Sequence, residues 1–142
     1  MRRKSEIEVL VGRLRQMEAC GDAQRWCARR PPRHAWESCD WPYWQHWLLS
    51  RLFPDDGALA VAVARAAGGV AVPLALDRGV AVPLALDCGR AWDLAWHAIH
   101  ARLFRCERGD AEAAAMAAAI RALVAYEAVA RAMGLSADPP PD

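Results

Sequence analysis

At 142 residues with a formal net charge of +1, the chain is long enough for one domain and carries no global field that announces a partner. Hydrophobic residues reach 55%, a figure inflated by alanine, and seven of the eleven aromatic residues are tryptophan, so packing is concentrated in a few positions. The charge is uneven: residues 1–36 hold nine Arg/Lys against four Asp/Glu, a local +5, and residues 37–142 hold nine against thirteen, a local −4. Such an asymmetry steers an acidic partner toward the N-terminal third or matches the two halves to each other.

The one long apolar stretch, residues 58–76, is interrupted by Arg65 and Pro73, and the basic N-terminus lacks the apolar region of a signal peptide. We therefore expect a cytoplasmic protein without a membrane span. Five cysteines with no CxxC spacing fit reduced thiols rather than a disulfide framework.

Ser5-Glu6-Ile7-Glu8 reads as a capping box, and Ile7, Leu10, Val11, Leu14 and Met17 give one apolar stripe. A first helix is expected to run to about Cys20 and stop at Gly21. Asp22 caps a second helix with Ala23, Trp26 and Cys27 inward, ended by Arg29-Arg30-Pro31-Pro32-Arg33. A third short helix is expected over about Arg33–Cys39. Pro42 suits the first turn of a fourth, with Asp40 as capping oxygen, Trp44, Trp47 or Leu48, and Leu52 facing the core, and Pro54 as its end. Four of the seven tryptophans fall between Ala35 and Leu49, which places this stretch at the centre of the core.

Asp55-Asp56 opens a fifth helix that Gly68-Gly69 breaks. The block from Gly69 to Asp77 then recurs unchanged from Gly79 to Asp87, a short tandem duplication. Its alternation of large and small residues allows a hairpin turning at Asp77-Arg78-Gly79, but its prolines oppose a two-stranded ladder. We prefer the first copy as a connector or short helix, with Pro83 in the first turn of a sixth helix running to about Arg108. Cys88, Trp92, Trp96, Ile99, Leu103 and Cys106 form the apolar stripe of that helix. An alanine-rich seventh helix spans Ala111–Met133, and residues 138–142 form a disordered Pro-rich tail. The expected architecture is all-α, a compact single-domain bundle of about seven helices over residues 1–137.

Three sites compete. Arg25, Arg29, Arg30 and Arg33 form the densest one-sign cluster, a surface for a protein partner with an acidic face. With Trp26 and Trp36 beside them, the same arginines could instead hold single-stranded nucleic acid by charge and stacking. Asp93, His97 and His100 lie one turn apart on the sixth helix and could bind a divalent metal, given a further ligand such as His46 or Glu107. Cysteine spacing, the absence of a GxSxG or phosphate loop, and the absence of paired carboxylates argue against an enzyme and imply no cofactor. Cys27, beside Arg29 and Arg30, is the one thiol in an electropositive setting.

The spacing Ala19-Cys20-x2-Ala23-x2-Trp26, then Ala35-Trp36-x2-Cys39, then Trp44-x2-Trp47-Leu48-Leu49 resembles a family of small helical bacterial and phage proteins, the immunity proteins associated with polymorphic toxin systems. The likeness covers about residues 19–104. Two positions depart from the family pattern: Tyr43 stands where the family has Asp, and the duplicated block replaces a polar loop. The resemblance implies toxin neutralisation by binding.

Overall fold

Local signals start most of the helices. In the computed structural model, which describes residues 5–68, 76–77, 80–81 and 88–135, eight helices follow one another with a single two-residue strand pairing between the fifth and sixth. The helices are α1 (Glu6–Gln16), α2 (Gly21–Cys27), α3 (Pro32–Glu37), α4 (Pro42–Leu52), α5 (Gly57–Gly68), α6 (Cys88–Leu103), α7 (Ala111–Arg121) and α8 (Tyr126–Met133). The protein is all-helical in class, as its sequence implies. Among the described residues no single helix is long and apolar enough to cross a membrane.

The chain divides into two units: residues up to Ser38 together with those from Val124 onward, and Cys39–Leu123. In the first unit, the Ser5 hydroxyl caps α1 by accepting the Glu8 N–H at 3.1 Å. The helix stops at Gln16, four residues earlier than expected. Glu18 adopts a left-handed φ of 64°, and the Ala19 N–H returns to the Leu14 carbonyl at 2.9 Å. That is the usual helix-ending motif with glutamate in the place glycine normally takes. Leu10 and Leu14 of α1, Ala35 and Trp36 of α3, and Tyr126, Val129, Ala130 and Met133 of α8 are buried. α2 buries no residue, and its Trp26 and Cys27 are only half-buried.

In the second unit, α5 and α6 form the most extensive helix pair. Ala60, Val63, Ala64 and Ala67 of α5 and Ala91, Ala95, Ala98 and Ile99 of α6 are all buried, and the alanines let the two backbones approach closely. The Asp56 carboxylate accepts the Leu59 N–H at 2.9 Å at the start of α5, as its position implies. Asp110 is the N-cap residue of α7, but its carboxylate accepts the Glu107 N–H at 2.9 Å. That bond, with the Cys106 N–H on the Leu103 carbonyl at 2.8 Å, turns the chain out of α6 at Leu103, short of the expected Arg108. Neither Asp40 nor Asp22 caps the helix it precedes or opens: the N-cap residues are Trp41 for α4 and Cys20 for α2, each without a side-chain capping bond.

Two further expectations are corrected. The core face of α4 is Pro42, Gln45, His46 and Leu49, and the expected core residues Trp44 and Trp47 are half-buried. Two polar side chains go inside because each finds a backbone partner. Gln45 Nε2 donates to the Ala117 carbonyl at 3.0 Å, and His46 Nε2 bonds the Trp92 carbonyl at 2.8 Å. The displaced tryptophans carry arginines on their outer faces, Arg108 over Trp44 at 4.6 Å and Arg51 over Trp47 at 5.0 Å.

The alanine-rich segment, secondly, is not one helix. It leaves helical geometry after Arg121 and restarts at Tyr126, with Ala125 extended. The break frees the Val124 carbonyl, which accepts the buried Trp36 indole N–H at 3.0 Å. Alanine's propensity advantage is a few tenths of a kcal/mol per residue, whereas leaving a buried indole donor unpaired costs about 1–3 kcal/mol.

In the duplicated block, Leu76–Asp77 (β1) pairs antiparallel with Val80–Ala81 (β2), Leu76 opposite Ala81 and Asp77 opposite Val80. This is the hairpin alternative rather than the connector or short helix. The pairing stops short of both prolines, so it escapes the objection they raise. Pro83 and residues 136–142, where a helix start and a Pro-rich tail are expected, lie outside the described residues.

Candidate functional site

Three of the four N-terminal arginines are already engaged inside their own unit. Arg25 pairs with the Asp22 carboxylate one turn earlier. Arg30 lies over the Trp26 ring at 3.9 Å and donates to the Trp26 carbonyl at 2.7 Å. Arg33 is held between Glu127 at 2.9 Å and Glu37 at 3.4 Å, with the Tyr126 ring 4.8 Å beneath it. The hydrogen bond from Arg33 holds the Glu127 carboxyl below its usual range, and the same bond raises the Arg33 guanidinium. Arg29 is exposed and meets no ion-pair partner among the described residues. Asp22, Glu37 and Glu127 thus offset much of the one-sign field that the four arginines imply.

Asp93, His97 and His100 all lie on the exposed side of α6. Among the described residues no group of three or more His, Cys, Asp or Glu side chains is placed to hold a metal ion. His100 faces aromatic neighbours instead. Its ring stacks on Trp96 at 4.7 Å with planes 14° apart, and its Nδ1 lies 2.9 Å from the Tyr43 hydroxyl.

Those contacts belong to a continuous aromatic surface. Trp41 and Tyr43 from the start of α4 lie 5.1 Å apart by ring centroids, and Tyr43 reaches Trp96 at 6.4 Å and His100 at 6.2 Å. Trp96 contacts His97 edge-on at 5.3 Å, and His100 continues to Phe104 at 6.2 Å. Trp96 is 38% exposed, and Phe104 at 58% is the most exposed of the large apolar side chains among the described residues. Partial burial raises the Tyr43 phenol, which stays protonated at neutral pH.

Helix geometry explains why the sequence stripe hid this surface. Residues four apart on a helix drift by about 40° per step, so Trp92, Trp96 and His100 walk progressively off the buried face. Trp92 is buried, Trp96 sits at the edge and His100 is outside. The spacing Trp96-x3-His100-x3-Phe104 carried the signal, but joining it to Trp41 and Tyr43 requires the packing of α4 on α6. Tyr43 is the residue that makes the join.

The thiols are unevenly placed. Cys39 is buried, Cys20 is exposed, and Cys27 and Cys106 are intermediate. Burial pushes the Cys39 thiol up to about 11, so it is an inert packing group at neutral pH.

In comparisons with protein-family models, curated proteins and solved structures, nothing matches the chain. The likeness to immunity proteins rests on the tryptophan and cysteine spacing alone.

Proposed function

We propose that the protein is a non-enzymatic, cytoplasmic binding protein of the inhibitor or immunity type, and that it engages a protein partner through the aromatic face of α4 and α6. The observation that supports this reading is the continuous ring surface from Trp41 through Tyr43, Trp96 and His100 to Phe104, open to solvent at Trp96 and Phe104. Tryptophan, tyrosine and arginine carry most of the energy in protein interfaces, and apolar rings left in water forgo about 25 cal/mol per Å² until something covers them. The Arg25–Arg33 cluster has a smaller part in this reading, because its guanidiniums are largely spent on Asp22, Glu37, Glu127 and Trp26.

The test is affinity purification from the native host or its phage, identification of the retained protein, and reconstitution with that purified partner. Trp96→Ser combined with Phe104→Ser is expected to weaken binding by about 30-fold or more, the effect of losing a hot spot worth about 2 kcal/mol. Replacing Arg25, Arg29 and Arg30 with glutamine is expected to change affinity by only a few-fold. An unchanged affinity in the Trp96/Phe104 variant, with loss in the arginine variant, would return the site to the N-terminal cluster.

A further inference from the structure

The segment that follows α6 places one cation against the aromatic face and a second against Trp44, the residue after Tyr43 on α4. The Arg105 guanidinium lies 5.1 Å from the Phe104 ring centroid, and that of Arg108 lies 4.6 Å from Trp44. Both residues are exposed. Neither has a carboxylate within ion-pair distance among the described residues, in contrast to Arg102, which holds Glu112 at 3.2 Å and the Ala67 carbonyl at 2.9 Å. Glu107 stands between them in sequence but pairs with neither among the described residues, and the Asp110 carboxylate accepts the Glu107 N–H. A guanidinium held over a ring spends its flat face there and keeps its in-plane N–H donors for an oxygen acid.

We infer that the aromatic face takes an acidic protein segment, in which carboxylate side chains pair with Arg105 and Arg108 while an aromatic or branched aliphatic side chain covers Trp96 and Phe104. This deepens the function proposed above and rests on it. The charge of the surrounding unit selects the class of partner. Residues 39–123 contain eight arginines and nine Asp/Glu, a net of −1. A nucleic acid binds by neutralising several phosphates in succession and needs a positive field along its path. Here two open guanidiniums sit in a near-neutral unit, which suits two carboxylates on a short segment and gives a polyphosphate no long-range attraction. Asp93, exposed on α6 one turn before Trp96 and His97, adds a like charge that a polyanion crossing the rings would meet.

The experiment measures binding of three fluorescently labelled probes by anisotropy. They are a panel of peptides of about twelve residues alternating Glu with Trp, Phe or Leu, the same panel with Lys for Glu, and a thymidine oligonucleotide of similar length. The Glu peptides are expected to bind about ten-fold or more tightly than their Lys counterparts, with affinity falling as salt rises from about 50 to 300 mM. Arg105→Glu with Arg108→Glu is expected to reverse that preference, and Arg105→Gln with Arg108→Gln to abolish it at an unchanged melting temperature. Phe104→Ser should weaken both peptide panels. Equal binding of the Glu and Lys panels, no peptide binding, or tightest binding by the oligonucleotide would overturn the inference. The two readings separate with the purified partner: dependence on Trp96 and Phe104 without dependence on Arg105 and Arg108 sinks this inference and leaves the proposed function standing.

Discussion

Trp92 and Trp96 are one helical turn apart in the same apolar row of α6, yet their truncation should have very different consequences. The Trp92 side chain is 4% exposed, meets the His46 ring edge-on at 5.6 Å, and donates its indole N–H to the Phe53 carbonyl at 3.0 Å. Trp96 is 38% exposed and rests on His100. The difference in burial is about a third of a side chain of roughly 250 Å², worth ~2 kcal/mol at about 25 cal/mol per Å². Trp92→Ala also removes one of the two donors on the Phe53 carbonyl, which keeps the Asp56 N–H at 3.1 Å, and leaves a closed cavity. The lost hydrogen bond adds about 1 kcal/mol, and the cavity adds more. Trp92→Ala should therefore cost at least about 3 kcal/mol more than Trp96→Ala. For a chain of this size that is a gap of about 10 °C in melting temperature. Thermal unfolding of both variants followed by far-UV circular dichroism, at matched concentration and pH, reads the gap directly. Equal melting temperatures would show that the two tryptophans are equivalent and that the open aromatic face does not exist.

Burial pushes the His46 imidazole below its ordinary value, against the opposing effects of its bond to the Trp92 carbonyl and the Asp93 charge, so the unfolded chain binds the proton more readily. The stability this contributes is complete above the unfolded value of about 6.5 and is lost as pH falls through the lower folded value. His46→Gln keeps a donor for the Trp92 carbonyl without titrating. Urea unfolding at pH 7.5, 6.5 and 5.5 should show a flatter pH dependence in that variant, and an identical dependence would clear His46 of the effect. Glu18, at φ 64°, occupies a position that favours glycine, as Gly134 does at φ 74° after α8. Glu18→Gly relieves about 1–2 kcal/mol of left-handed strain against an entropy cost of about 0.5–1 kcal/mol. A net gain of about 0.5–1 kcal/mol is expected, and a lower denaturation midpoint would refute it.

Signals that act within one turn of backbone were legible in the chain alone. Ser5 before α1, Pro42 opening α4, Asp56 before α5 and Gly134 after α8 each stand where the structure uses them. They work through groups three or four residues away, so no distant packing is needed to read them. The helical class follows from the same local preferences. Which face each helix buries was settled elsewhere. Gln45 and His46 go inside α4 because the Ala117 and Trp92 carbonyls await them, 72 and 46 residues along the chain. The alanine run breaks because Val124 must meet Trp36, 88 residues away. Arg33 loses its open charge to Glu127, 94 residues away, while Arg105 and Arg108 keep theirs. Apolar periodicity marks a stripe about 100° wide or more but not its edges. A drift of about 40° per four residues is enough to turn Trp96 from core to surface. Tertiary hydrogen bonds worth about 1–3 kcal/mol each outweigh the tenths that local propensity offers, and they involve partners that no spacing rule connects. Helix content was therefore decided by neighbours in sequence, and the candidate binding face by neighbours in space.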